Sequence, residues 1–179
     1  HDTGFDLGIA AVSSIQNWYG HNDVSLGAYK GVFADGHLPW GKQGDVYSIQ
    51  NRYAQDLIDN LSGPVKSYND VPDAVTTLRK TLTQQEDSSV VISSIGMTTN
   101  MRDLVLSMPD TISPLSGHDL IAKKVKLVVW MAGGYNFGCA KHENKTIGYL
   151  GDDQGCRGSA QIIFDKWPSN VKHIFNPKN

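Results

Sequence analysis

Residues 89–100 read Ser-Val-Val-Ile-Ser-Ser-Ile-Gly-Met-Thr-Thr-Asn, an apolar β-branched run closed by Gly96 and a Thr-Thr-Asn turn. Branched side chains suit a pleated surface and glycine punctuates strand ends, so this stretch predicts a strand finishing at Gly96. Three further runs share its character: 24–29 (VSLGAY), 125–131 (VKLVVWM) and 171–175 (VKHIF). Near-continuous apolar sequence of this kind suggests strands buried on both faces of a parallel sheet. Helical spacing fills the gaps. Residues 5–19 place Leu7, Ala10, Ala11, Ser14, Ile15 and Trp18 at intervals of three and four. Residues 46–61 do so with Ile49, Tyr53, Leu57 and Leu61, and 73–82, entered through Val71-Pro72, with Ala74, Leu78 and Leu82. Residues 159–167 group Ile162, Ile163 and Trp167 before Pro168 stops the helix. The expectation is an α/β fold: an open, mostly parallel, Rossmann-like sheet with helices on both faces, all four runs parallel in one sheet.

Composition narrows the class. The chain has 179 residues, 16 Lys and Arg against 18 Asp and Glu, and a formal charge of −2. That length suits one domain, expected over 1–179, with no linker or repeat. A near-even charge argues against a nucleic-acid partner, and no apolar run reaches the 18 residues that a membrane span needs. Five Phe, four Trp and seven Tyr, with plentiful Val, Ile and Leu, supply a core and exclude disorder.

Cys139 and Cys156 lie 17 positions apart in a Gly-rich stretch, without the CxxC pairs of a zinc site. One disulfide, contributing about 3 kcal/mol through loop closure, is the economical reading; two reduced thiols is the other. The sequons Asn60-Leu-Ser and Asn144-Lys-Thr agree with an oxidising compartment, so secretion is expected. No signal peptide is visible, which implies a processed or truncated form.

In sheets of this kind, ligands bind at the carboxyl ends of the strands. Three such ends carry polar or glycine-rich sequence: Gly96 to Asn100, Ala132-Gly-Gly-Tyr-Asn136, and the loop after Tyr29. An isolated Gly-Gly usually only turns the chain. Three such loops in register favour a ligand site.

These loops also carry a likeness. Residues 89–100 resemble the strand and G-x-x-T-N turn of the inosine-uridine-preferring nucleoside hydrolases. Ser113-Pro-Leu-Ser-Gly117, Asp119-Leu and Lys124-Val-Lys-Leu-Val-Val-Trp-Met-Ala-Gly-Gly134 are similar to that family's S-P-L-S-G…K-V…L-V-x-M-G-G segment. Tyr135-Asn-Phe-Gly-Cys139 with Cys156-Arg-Gly-Ser-Ala160 resembles the N-F-G-C…C-x-G-S-A pair of animal members. Tyr19-Gly20, Asp23, Leu26-Gly27 and Lys30 match its Y-Y-G-x-x-D-I-P-I-G-x-x-K element, so the likeness runs from about residue 10 to 175.

What the resemblance implies is hydrolysis of N-ribosidic bonds, assisted by calcium in intact members. It assigns ligand-binding roles to Asn136, Thr99, Asn100, Gly133 and Gly134. The chain also departs from the pattern. The family's acidic opening cluster and its later His-Asp pair are not found, and its E-x-N ribose clamp reads Gly134-Tyr135-Asn136, with the Glu gone. Asp2 and Asp6 imitate the opening cluster superficially, and the backbone carbonyl of Trp130 stands where the family offers one to calcium. No catalytic residue and no cofactor is therefore expected.

The remaining chemistry-bearing residues have plainer readings. Asp152-Asp153 is a solvated loop pair. His1, His21, His37, His118, His142 and His173 form no H-x-x-x-H pair or nucleophile elbow, and read as surface or satisfied histidines. Among Trp18, Trp40, Trp130 and Trp167, the first and last lie on apolar helix faces and are expected in the core. Three functions remain open: an inactive hydrolase-like protein binding a ribose-containing or other small ligand, an active ribohydrolase completed by another chain or precursor segment, and a non-enzymatic interaction protein. Without the family's opening strand, an exposed sheet face is expected to draw a second copy or a companion chain.

Overall fold

The structure, a computed structural model, describes residues 5–30, 52–95, 98–131 and 162–176. The chain divides into two compact units, 1–77 and 78–179, with the boundary inside one helix.

In the first unit, α1 (Phe5–Trp18) packs against α2 (Arg52–Leu61). The contact is built from small residues: Ala10, Ala11, Ser13, Ser14 and Ala54 are all buried. Small side chains let backbones approach closely. A Cβ on Gly63 would stand 2.5 Å from the Ser13 carbonyl carbon and 2.6 Å from the Ser14 nitrogen, so only glycine passes there. Ser13 Oγ accepts the Val65 N–H at 3.1 Å and ties the chain after α2 to α1. Tyr53, expected on the packed face of α2, is exposed, and Ala54 holds the interior position. Trp18, expected in the core, is 66% exposed: α1 ends on it, and the chain reverses at Gly20 with φ 74°.

Residues 24–29 do not join the sheet. They make one isolated parallel bridge, Ala28 to Asp73, with Ala28 N–H to the Pro72 carbonyl at 3.0 Å and Ala74 N–H to the Ala28 carbonyl at 2.9 Å. The partner is the entrance of α3 (Ala74–Thr83), where Asp73 Oδ2 caps the Val75 and Thr76 N–H groups at 2.9 and 3.1 Å. A helix entrance offers no continuing ladder, so the pairing stops after one residue.

In the second unit, β1 (Val90–Ser94), β2 (Val125–Trp130) and β3 (Lys172–Phe175) form a parallel sheet in the order β1-β2-β3. Three of the four expected strands are thus confirmed, within a residue or two at their ends. The register sets Ile92 against Val128 and Val128 against His173. Central β2 is buried at Val125, Val128 and Trp130, and Leu104, Leu120, Ile121, Ile163 and Val171 are buried in the same unit. Burial on both faces, expected for every strand, fails for β1, where Val91 is 55% exposed, and for β3, where Ile174 and Phe175 are exposed. The architecture is α/β in this coarse sense: helices with a small parallel sheet.

Two helices escaped the sequence reading. α4 (Thr99–Leu106) follows β1, and α5 (Gly117–Lys124) leads into β2. They meet at Gly117, where a Cβ would lie 1.7 Å from the Leu104 carbonyl oxygen and the Gly117 N–H reaches the Ser107 carbonyl at 2.7 Å. Ser116 caps α5, its Oγ accepting the Asp119 N–H at 3.1 Å. The 113–117 motif therefore has a structural use: its serine starts α5 and its glycine lets two backbones touch.

Candidate functional site

The carboxyl end of β1 is where strand chemistry directs a ligand, and the described residues there are Thr98, Thr99 and Asn100. Thr98 is the N-cap of α4, but its φ and ψ of −81° and 0° are helical and its side chain makes no capping bond. Thr98 and Thr99 are 5% and 4% exposed. Thr98 Oγ1, Thr99 Oγ1 and Asn100 Oδ1 are all buried and, among the described residues, have no hydrogen-bond partner. Leaving such a group unpaired costs about 1–3 kcal/mol, so three on consecutive residues is unusual. Two of them, Thr99 and Asn100, are the ligand residues expected from sequence. Thr98 was not singled out, although the Thr-Thr pair after the strand is visible.

Next along the same sheet edge stands Trp130. Its carbonyl accepts the Asn176 N–H at 2.8 Å, which carries the sheet ladder one residue past β3. Its indole Nε1–H donates to His173 Nδ1 at 2.9 Å. The indoles of Trp130 and Trp167 meet edge to face at 5.5 Å, and burial pushes His173 below the usual histidine range.

The most elaborate polar network is one the sequence did not reveal. Arg79, 2% exposed, donates through Nε and Nη2 to both Asp110 oxygens at 2.8 and 3.0 Å, and through Nη1 to Ser107 Oγ at 2.8 Å. Nη2 also reaches the Ser113 and Leu115 carbonyls at 3.3 and 3.0 Å. Asp110 Oδ1 in turn accepts the Ile112 and Ser113 N–H groups at 3.0 and 2.9 Å. The Arg79 bond, helped by the Ser113 N–H, holds the Asp110 carboxyl below the usual carboxylate range. The residues lie 31 apart and share no local pattern.

The other expected residues separate into described and undescribed. His21, 3.9 Å from Asp23, is exposed. His118 Nδ1 is 3.1 Å from Asp119 Oδ1, and Ser116 Oγ donates to Asp119 Oδ2 at 2.8 Å. That order, with the carboxylate between hydroxyl and imidazole, does not activate the serine. Asn60 is exposed on the last turn of α2, its Nδ2 donating to the Asp56 carbonyl at 2.7 Å. Asp6 lies in the first turn of α1. Asp2, Gly133, Gly134, Asn136, Cys139, Asn144, Asp152, Asp153 and Cys156 lie outside the described residues, as do His1, His37, His142 and Trp40. Among the described residues, no three His, Cys, Asp or Glu side chains gather as a metal site, and no helix is long and apolar enough to cross a membrane.

Set against known proteins, the chain matches no family model, no curated protein and no solved structure.

Proposed function

We propose that this chain is a secreted, nucleoside-hydrolase-like protein that binds a ribose-containing small molecule at the carboxyl end of β1 and, by itself, does not cleave it. The observation carrying this reading is the set of three unpartnered buried oxygens on Thr98, Thr99 and Asn100. A threonine hydroxyl both donates and accepts, whereas an amide oxygen only accepts. A bare anion satisfies the hydroxyls and repels the amide oxygen. A polyol satisfies all three, because each of its hydroxyls donates and accepts. The place agrees with the rule for parallel sheets, and the resemblance adds Gly133, Gly134 and Asn136 from the end of β2.

Cleavage asks for more. An N-ribosidic bond breaks through an oxocarbenium-like state that needs an activated water and a proton for the departing base. Thr98, Thr99 and Asn100 offer no carboxylate for that work, and Gly134 stands where the family's clamp has Glu. Secretion rests on Cys139, Cys156 and the two sequons. Titration of the chain with ribose, inosine and uridine in a calorimeter, with a parallel assay for free ribose, tests the proposal. Saturable heat without ribose release is the expected result. No binding of any of the three, or ribose released at enzyme-like rates, contradicts it.

A further inference from the structure

β3 has four residues, and Ile174 and Phe175 on it are 50% and 39% exposed. Its described ladder joins it to β2 alone. So short a strand, exposed at its end, belongs to the readily opened part of a fold. Side chains hold it instead. His173 and Phe175 project to one face by the alternation of the strand, their rings 6.0 Å apart and near parallel. His173 lies 6.0 Å from Trp130 at an interplanar angle of 11°, and 5.9 Å from Trp167. Phe164 stacks on Phe175 at 5.7 Å. A directional bond in this aromatic cluster runs from Trp130 Nε1–H to His173 Nδ1.

We propose that the Trp130–His173 hydrogen bond is an acid-sensitive latch that holds β3 to β2. Because Nδ1 accepts, the neutral imidazole carries its proton on Nε2. A second proton turns Nδ1 into a donor facing another donor at 2.9 Å, and the bond is lost. Trp130 is 3% exposed, so its N–H is left buried and unpaired. Among the described residues, the neighbouring Trp167 Nε1 is itself a buried donor without a partner.

Among the described residues, the charged groups on the elements packed here are Lys126 on β2, Asp165 and Lys166 on the 162–166 helix, and Lys172 on β3. None of them contributes to the depression of His173, which burial alone causes. A histidine depressed in the folded state takes up its proton less readily there than in the open state. The latch is therefore intact above about pH 6.5 and weakens as pH falls from there through the lower folded value. Opening releases β3 with its rings, while the five-residue register of β1 on β2 stays paired.

The test uses the full chain. The His173 ring resonance is titrated by NMR while amide exchange is followed at Ile174 and Asn176, with Ile92 and Val129 as internal controls. Expected are a His173 midpoint below about 6.5 and, on acidification, about tenfold faster exchange in β3 than in the controls after correction for intrinsic rates. Trp130→Phe, which removes the donor that occupies Nδ1, raises the midpoint. His173→Phe makes β3 exchange independent of acid; if that variant fails to fold, the Trp130→Phe titration carries the test. A His173 midpoint at or above 6.5, or β3 protection that ignores acid in the unaltered chain, overturns the latch.

Discussion

Arg79 and the Thr98–Asn100 turn are both buried polar groups in the second unit, and they are treated in opposite ways. Arg79 makes five hydrogen bonds to Asp110, Ser107, Ser113 and Leu115. Among the described residues, the turn finds none for Thr98 Oγ1, Thr99 Oγ1 or Asn100 Oδ1. A satisfied network fixes structure, here the 107–117 connection between α4 and α5. An unsatisfied one carries the proposed ligand site. Burial alone does not separate the two cases; the census of partners does.

That contrast is open to breaking. Arg79→Met should destabilise the fold by about 3 kcal/mol or more, because it strands acceptors assembled around one cation. Chemical denaturation checks it, and a loss below 1 kcal/mol would put Arg79 in the same class as the turn. Acid attacks the same network from the other partner. Asp110 is depressed in the folded state, so its contribution is present above about pH 4 and is lost as pH falls through the lower folded value. Asp110→Asn should flatten the stability profile in that window, read from thermal midpoints measured between pH 2 and 5. Ser116→Ala, which removes the cap of α5 beside the network, should cost about 1 kcal/mol in the same denaturation assay. The smallest change belongs to the turn. Thr98→Val and Thr99→Val break no hydrogen bond, so unliganded stability should stay within about 0.5 kcal/mol or rise.

The sheet was legible because its strands are short, β-branched and bounded by glycine or polar residues, a signal local to each run. Residues 24–29 carried a weaker form of that signal, and a helix entrance rather than a strand lies beside them. α4 and α5, of eight residues each, are too short for apolar periodicity to rise above chance. α5 nevertheless announced itself: Ser116 with Asp119 three residues on is a capping pattern. Trp18 shows the limit of helical spacing, since a face drawn over the whole helix takes no account of where the chain turns away.

At the candidate site, Thr99 and Asn100 were visible as the polar end of a strand, a position with meaning in any parallel sheet. Thr98 became significant only through its missing partner. The Arg79–Asp110 and Trp130–His173 pairs join residues 31 and 43 apart, and no spacing rule links them in one sequence. Long-range polar pairing comes from tertiary packing, which local pattern does not encode.

Calorimetric titration of inosine into the unaltered chain and into the Thr98→Val, Thr99→Val double variant probes the ligand site most directly. The unaltered chain should bind saturably, and the double variant, equally stable, should bind at least about tenfold more weakly, the effect of about 1.4 kcal/mol lost with those hydroxyls. Equal affinity in the two proteins, or no binding by the unaltered chain, would show that the unpartnered oxygens at the end of β1 do not form a ribose site.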